Sequence, residues 1–219
     1  MNSPMIQLLV LAGIAVFLIL RLKNVLGTRE GFEKPPVADQ TSQRRGGPAL
    51  EVIEGGPDLD IADHVPEDSD AGKALARMKR IEPSFGVSDF LGGARGAYEM
   101  IVMGYEKGEL AQIQPFLSEE IYESFVDGVA AREDQGLTIE ANFIGVRETE
   151  LVDARLDDAT NEAELKIRFV AELTSAVRDA GGDIIEGSTK EIKRQKDTWV
   201  FARIMGSDDP NWMLVSTDG

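Results

Sequence analysis

The stretch Ala163–Arg178, AELKIRFVAELTSAVR, decides the fold. Apolar and polar residues alternate along it, which predicts a long strand with one buried face. The residues on that face are Leu165, Ile167, Phe169, Ala171 and Leu173. Clusters of turn-forming residues at 157–161 and 181–183 bound the strand on both sides. The chain therefore reverses direction before and after it, as in a meander of antiparallel strands.

Strands are predicted on either side of this stretch, at 137–156, 185–203 and 211–217, and helices precede them. An apolar face that repeats every three to four residues predicts helices at about 88–107, 110–117 and 118–136. Ser88 or Asp89 is the expected N-cap of the first helix and Ser118 that of the third. Helices followed by a meander indicate an α+β domain, in which the helices cover one face of a curved antiparallel sheet.

The N-terminus predicts a membrane anchor over residues 1–26. Residues 5–20 read MIQLLVLAGIAVFLIL, and an extension to residue 26 makes the helix long enough to cross a bilayer. The side chains expected to face lipid are Met5, Leu8, Leu11, Ile14, Phe17 and Leu20. A cleaved signal peptide is the competing interpretation, but the basic residues follow the apolar run instead of preceding it.

Arg21 and Lys23 flank the anchor on its C-terminal side, where they can reach lipid headgroups. Because basic flanks stay in the cytoplasm, we expect a single-pass protein of a bacterial inner membrane with its C-terminal domain in the cytoplasm. The absence of cysteine fits a reducing compartment. The net charge of −16 disfavours nucleic acid as a partner.

Residues 27–70 are rich in proline, glycine and acids and predict a disordered linker. Residues 71–82 predict a basic amphipathic helix that leads into the main domain, 83–219. The basic helix has two interpretations: it lies on anionic lipid, or it packs on the acidic domain or a partner. The candidate contacts for lipid or a partner are Lys73, Arg77, Lys79 and Arg80.

The domain has no phosphate loop, zinc-protease motif, nucleophile elbow or dinucleotide fingerprint. Its acids fall in caps and turns, so neither an enzyme nor a metal or cofactor site is expected. A pocket between the helices and the sheet is the candidate binding site. The residues expected to line it are Tyr98, Ile101, Tyr105, Phe125, Phe143, Phe169, Trp199 and Trp212. Core packing is the alternative interpretation of these aromatic residues.

Several segments together resemble the Tim44-like domain family. They begin with Phe90-Leu91-x-x-Ala94-x-x-Ala97-Tyr98 and end with Asp209-Pro210-Asn211-Trp212-x-Leu214-Val215, and the stretches 105–110, 115–122 and 199–203 lie between them. The resemblance covers about residues 85–219, and the anchor and linker look like those of the bacterial TimA-type members. In mitochondria, the family member tethers the import motor to the inner-membrane translocase.

The resemblance implies a cone-shaped fold similar to the nuclear-transport-factor-two and cystatin-like folds, with a large apolar pocket. It also implies a non-enzymatic adaptor or scaffold for protein translocation, membrane-protein assembly or chaperone recruitment. Expected partners are translocation or chaperone proteins and client polypeptides; a homo-oligomer is compatible with the sequence but not required by it. The alternatives are a module that binds lipid or a small apolar ligand in the pocket and, third, an enzyme with an acid in that pocket.

Overall fold

The computed structural model describes residues 56–218, and the predicted anchor and most of the predicted linker lie outside this range. Four α-helices and one 3₁₀ turn come first in this range, followed by a fifth α-helix and then by four strands. The helices are α1 Leu59–Ala62, α2 Asp70–Ile81, α3 Val87–Lys107, α4 Leu110–Ile113 with a 3₁₀ turn Gln114–Phe116, and α5 Glu119–Asp134. The strands are β1 Thr138–Leu156, β2 Glu162–Arg178, β3 Ile184–Ile204 and β4 Met213–Asp218.

The four strands form one antiparallel sheet in the order β1-β2-β3-β4. Each strand pairs with its neighbour in sequence, as the short turns require. Register shifts interrupt the β1–β2 ladder at three points between Phe143 and Asp153, and bulges of this kind bend and twist a strand. The predicted α+β class is confirmed, and the predicted strands agree with the observed ones to within two residues.

The helices cover the face of the sheet that carries the alternating apolar residues of β2. Leu165, Ile167 and Phe169 have no exposed surface, and the stripe of α3 that faces them includes the fully buried Tyr98 and Ile101. Helices α2 and α3 both pack on β1. Burial of this stripe, more than intrinsic propensity, holds α3 together, since glycine within a helix costs up to about 1 kcal/mol.

The N-terminal boundary of the folded region differs from the prediction. Residues 58–70, which we expected to belong to the disordered linker, form helix α1 and a turn leading into α2. Ile61 is 2% exposed and Val65 is also buried, so two apolar residues of this stretch join the core. The acidic, proline-rich composition predicts disorder. The burial of Ile61 and Val65 and specific polar contacts nevertheless stabilise a folded conformation of this stretch.

The start of α3 shows where those polar contacts lie. Its N-cap is Gly86, not Ser88 or Asp89, and no side chain next to it in sequence caps the helix. The carboxylate of Asp60 instead accepts hydrogen bonds from the backbone N–H groups of Val87, at 2.7 Å, and Ser88, at 2.9 Å. A residue of α1 therefore supplies the cap, and helix α1 is tied to α3 through it. Ser118 does cap α5, as predicted.

Two glycines of α3 give a matched test of its packing. A Cβ on Gly104 would lie 2.6 Å from the Cγ2 atom of Ile113, whereas a Cβ on Gly96 would meet no atom within 4 Å. We expect Gly104→Ala to lower the free energy of unfolding by about 1–3 kcal/mol through overpacking. Gly96→Ala should raise it by up to about 1 kcal/mol through helix propensity. Urea unfolding of the full-length protein in detergent measures both, and equal effects would contradict the packing described here.

Candidate functional site

The centre of the domain is an aromatic cluster, not a cavity. The ring of Tyr98 stacks on Phe169 at 4.5 Å and lies 4.6 Å from that of Trp199. Its hydroxyl donates a hydrogen bond to the carboxylate of Asp197, which also accepts one from the Gln195 side-chain amide at 2.9 Å. Burial and then the Asp197 carboxylate raise the pKa of Tyr98, so the phenol stays neutral.

One cleft opens between the N-terminal half of α3 and the loop that precedes β4, and we call it the tryptophan cleft. Its volume is about 290 Å³. It is lined by Asp89, Phe90, Gly93, Ala94, Ala97, Phe116, Phe201, Pro210, Asn211 and Trp212. The rings of Phe90 and Trp212 meet edge to face at 4.7 Å in its wall. The small residues of α3 leave the space open, and the aromatic rings make it apolar.

The loop that carries Trp212 is fixed by Arg203. The Arg203 guanidinium donates to the carboxylate of Glu82 at 2.5 Å and to the carbonyl of Pro210 at 3.3 Å. It also lies over the ring of Trp212, 5.3 Å from its centroid. The hydrogen bond from Arg203, together with one from the backbone N–H of Gly206, lowers the pKa of Glu82. This effect outweighs that of burial, which alone would raise the pKa. An ion pair between Glu82, which follows α2, and Arg203 of β3 thus sets one wall of the tryptophan cleft.

A second cleft lies at the other half of α3, next to the point where β4 ends, and we call it the edge cleft. Its volume is about 250 Å³. It is lined by Ile101, Val102, Tyr105, Glu106, Ser124, Phe125, Gln195, Trp199 and Thr217. Arg132 braces its helical wall, since its guanidinium lies 4.8 Å from the centre of the Tyr105 ring and donates to the Tyr105 carbonyl at 2.7 Å.

Glu106 is the polar group that the sequence analysis missed in the edge cleft. Burial raises the pKa of its carboxyl, whereas the charges of Arg132 and Lys193 and a hydrogen bond from Ser175 act in the opposite direction. The Ser175 hydroxyl lies 3.5 Å from the carboxylate. No local motif marks Glu106, because its partners lie on α5, β2 and β3, far apart in sequence.

The predicted pocket residues do not line one cavity. The edge cleft holds Ile101, Tyr105, Phe125 and Trp199, and the tryptophan cleft holds Trp212. Tyr98, Phe143 and Phe169 line neither cleft; Tyr98 and Phe169 have no exposed surface, and Phe143 packs 6.2 Å from the Tyr98 ring. For these three the core-packing interpretation holds, because the aromatic cluster fills the space between α3 and the sheet. The eight residues are thus divided between the two clefts and the aromatic cluster.

The basic helix α2 packs on the domain, and two of its four candidate contacts are held there. Its buried residues include Leu75 and Met78, neither with exposed surface. The Lys79 ammonium pairs with Asp58 at 2.9 Å and Asp60 at 2.8 Å, and its side chain is only 19% exposed. Lys79 is therefore held on the domain, in agreement with the interpretation in which this helix packs on the acidic domain.

The remaining bases of α2 differ in exposure. The Arg77 guanidinium lies 3.3 Å from the carboxylate of Asp158 and donates to the Leu156 carbonyl, so it is turned toward the β1–β2 turn. Lys73 and Arg80 are exposed, and the contact of Lys73 with Asp70 is long at 3.9 Å. Charge available for a partner is therefore concentrated on Lys73 and Arg80.

Asp60 gives a pH-dependent prediction. Burial opposes its charge, but hydrogen bonds from Lys79 and from the amides of Ser88 and Val87 hold its pKa well below the usual value. Its stabilisation is therefore present above about pH 4, the unfolded pKa, and is lost as the pH falls toward the folded pKa. We expect Asp60→Ala to lower the free energy of unfolding by about 1–2 kcal/mol near neutral pH.

That difference should shrink as the pH is lowered below about 4, because Asp60 then takes up a proton in the unfolded chain while it stays charged in the folded one. Urea unfolding of the full-length protein in detergent at several pH values measures it. Asp63→Ala is the matched control, because Asp63 is an exposed acid of the same segment, and it should change stability by less than about 0.5 kcal/mol. A pH-independent loss for Asp60→Ala would contradict the role of the charge.

Within residues 56–218, no group of His, Asp or Glu is arranged to hold a metal ion. Over the same residues, no helix has both the length and the apolar character needed to cross a membrane. The single histidine, His64, lies 3.1 Å from the Ser88 hydroxyl through its Nε2 atom.

Comparison with known proteins identifies the family. The model of the Tim44-like domain matches residues 71–219, and the chain belongs to this family. The match includes the basic helix α2 together with the rest of the domain. Among solved structures, the chain is similar to the intermembrane-space region of the chloroplast protein ARC6, at 11% identity and a TM-score of 0.38 over 57% of this chain and 94% of that one. This likeness is too low to bear on function. A comparison with curated proteins gave no match.

Proposed function

We propose that the protein is a non-enzymatic adaptor of the bacterial TimA type, anchored in the inner membrane with its domain in the cytoplasm. Its role would be in protein translocation, membrane-protein assembly or chaperone recruitment. The observation that carries the proposal is the Tim44-like match over residues 71–219, because that family is one of membrane-associated scaffolds linked to translocation. The apolar run at residues 5–20 and the basic residues that follow it supply the expected anchor and its orientation.

The chemistry of the two clefts supports binding over catalysis. Neither is lined by a histidine, and the Glu106 carboxyl, whose pKa is raised by burial, lies 3.5 Å from the Ser175 hydroxyl and feels the charges of Arg132 and Lys193. A general acid works with a second group aligned with a reacting atom, and besides Glu106 the described lining of the edge cleft offers amide, hydroxyl and apolar groups. We also infer the cone-shaped architecture of nuclear-transport-factor-two-like domains, which the long, bulged strands support.

In vivo crosslinking of the full-length protein in its native membrane, followed by mass spectrometry, tests the adaptor role. We expect enrichment of translocation components, chaperones or client chains over a matched sample that carries only residues 1–55. Recovery of self-crosslinks and lipid alone would contradict the role. Crosslinks that map to Lys73 and not to Lys79 would agree with the exposure of these two side chains.

A lipid or small apolar ligand is the alternative, and the tryptophan cleft is the observation that favours it. Its volume of about 290 Å³ lies at the lower end of ligand pockets, and its walls are mainly apolar. Native mass spectrometry of the full-length protein would show a stoichiometric bound ligand. A Cβ on Gly93 meets no atom within 4 Å, so Gly93→Trp should fill the cleft without disturbing α3 and displace such a ligand. No bound mass in the wild type would remove this alternative.

A further inference from the structure

The sheet has an open edge next to the edge cleft. Strand β4 pairs with β3 only over Thr198–Ala202. The adjoining stretch Lys193–Asp197 pairs regularly with β2, but within residues 56–218 no strand lies on its other side. Its outward backbone N–H and C=O groups therefore have no ladder partner there. An edge of this kind is a template for the addition of another strand.

The edge cleft lies where an added strand would place side chains. Gln195 and Trp199 contribute to its lining from β3, and Thr217, near the end of β4, contributes from the other side. In a strand, every second side chain points to the same face, and on this face Trp199 packs into the core. A segment that continues the line of β4 along Lys193–Asp197 would direct alternate side chains toward the cleft. With about 250 Å³ and a wall that includes Ile101, Phe125 and Trp199, the cleft has room for an aliphatic or aromatic side chain.

The opposite face of the same edge is basic, although the protein as a whole carries a net charge of −16. Arg194 and Lys196 are both exposed and lie on the face turned away from the helices. Arg194 shares the carboxylate of Glu172 with Arg147, at 3.0 Å and 2.6 Å, so two bases are set against one acid. Opposite charges on neighbouring strands stabilise pairing, so this face favours acidic residues on an added strand.

We propose that Lys193–Asp197 and the edge cleft bind an extended segment of a partner polypeptide by strand addition. The segment alternates apolar residues, which enter the cleft, with acidic residues, which face Arg194 and Lys196. The proposal rests on the adaptor function above and names the kind of chain that the domain holds.

Fluorescence anisotropy of a labelled peptide tests the site. The probe is Gly-Ser-Glu-Leu-Glu-Leu-Glu-Leu-Gly-Ser, and the protein is full length in nanodiscs of neutral lipid. We expect saturable binding of this peptide. A version with lysine in place of glutamate should bind at least about threefold more weakly. A version with proline at the central leucine should also bind more weakly, because proline lacks the N–H group that pairs with a strand edge.

Three variants separate the parts of the site. Lys196→Glu reverses a charge on the basic face and should weaken binding about threefold to tenfold. Ser124→Trp fills the edge cleft from an exposed position of α5 and should weaken it at least about tenfold. Arg155→Glu is the matched control, since Arg155 is a base with a 75% exposed side chain on the opposite edge strand β1, and it should leave affinity unchanged.

Equal binding of the acidic and basic peptides, or wild-type affinity in both Lys196→Glu and Ser124→Trp, would overturn the proposal. A dimer in light scattering that Lys196→Glu dissociates would overturn it too, because a second copy would then close the edge. Failure of peptide binding while crosslinking still recovers membrane partners would overturn the strand-addition site and leave the adaptor role standing.

Discussion

Replacement of Arg203 by alanine should lower the free energy of unfolding by about 3–5 kcal/mol, one of the two largest effects expected in the domain. The Arg203 side chain is 7% exposed and its partner Glu82 is 24% exposed. The substitution leaves the Glu82 carboxylate without its counter-ion in a partly dry site and removes the hydrogen bond to the Pro210 carbonyl. It also removes the guanidinium from the face of Trp212.

Urea unfolding of the full-length protein in detergent measures this loss, and tryptophan fluorescence in a Trp199→Phe background reports the loop around Trp212. The control is Arg155→Ala, because Arg155 also pairs with an acid, Asp153, at 3.0 Å, but its side chain is 75% exposed. An exposed pair contributes at most about 1 kcal/mol. A similar loss for both variants would mean that burial does not determine the strength of these pairs. Preserved fluorescence of Trp212 in Arg203→Ala would mean that the loop is held by other contacts.

Phe169→Ala should cost a comparable amount, about 3–5 kcal/mol, because it empties the centre of the core. Phe169 has no exposed surface, stacks on Tyr98 at 4.5 Å and meets Trp199 edge to face at 5.8 Å. The cavity left behind would be bounded by α3 on one side and the sheet on the other, and both are too constrained to close it. Since whole domains are stable by only about 5–15 kcal/mol, this variant should approach unfolding at ordinary temperature.

Ile192→Ala is the control for Phe169→Ala, because Ile192 lies in the same sheet but is 60% exposed. It should change stability by less than about 0.5 kcal/mol. Thermal unfolding of full-length protein, followed by circular dichroism, measures both. A small loss for Phe169→Ala would show that the aromatic cluster can close the cavity and that the domain centre is loosely packed.

The strands were predictable because their signal is local. In β2, each turn lies next to the strand it ends, and the alternation of Leu165, Ile167 and Phe169 is sufficient to orient the buried face. The long helix α3 followed from the same reasoning, and its glycines, which weaken a helix in isolation, did not mislead because the apolar stripe dominates. The family resemblance followed from ordered motifs along this same region and is confirmed.

The contacts that shape the clefts could not be predicted in this way. Asp60 caps a helix that begins 27 residues later, and Glu82 pairs with Arg203 across 121 residues. Local patterns carry no information on such pairs, so the sequence predicts a disordered linker near residue 60 and leaves open whether Lys79 contacts lipid, a partner or the domain itself. The predicted pocket failed for a related reason: an aromatic residue on a buried face has the same sequence signal whether it fills the core or lines a cavity.

The proposed function requires the domain to lie on the cytoplasmic face of a membrane in which residues 1–26 form the anchor. The chain contains no cysteine, so a single Gly96→Cys substitution, at an exposed site with open space around it, gives a clean probe. The measurement is labelling of this variant by a membrane-impermeant maleimide in right-side-out and inverted vesicles of the native inner membrane. We predict labelling in inverted vesicles alone, with the protein retained in the membrane after carbonate extraction. Labelling in right-side-out vesicles, or release of the protein by carbonate, would contradict the proposed function.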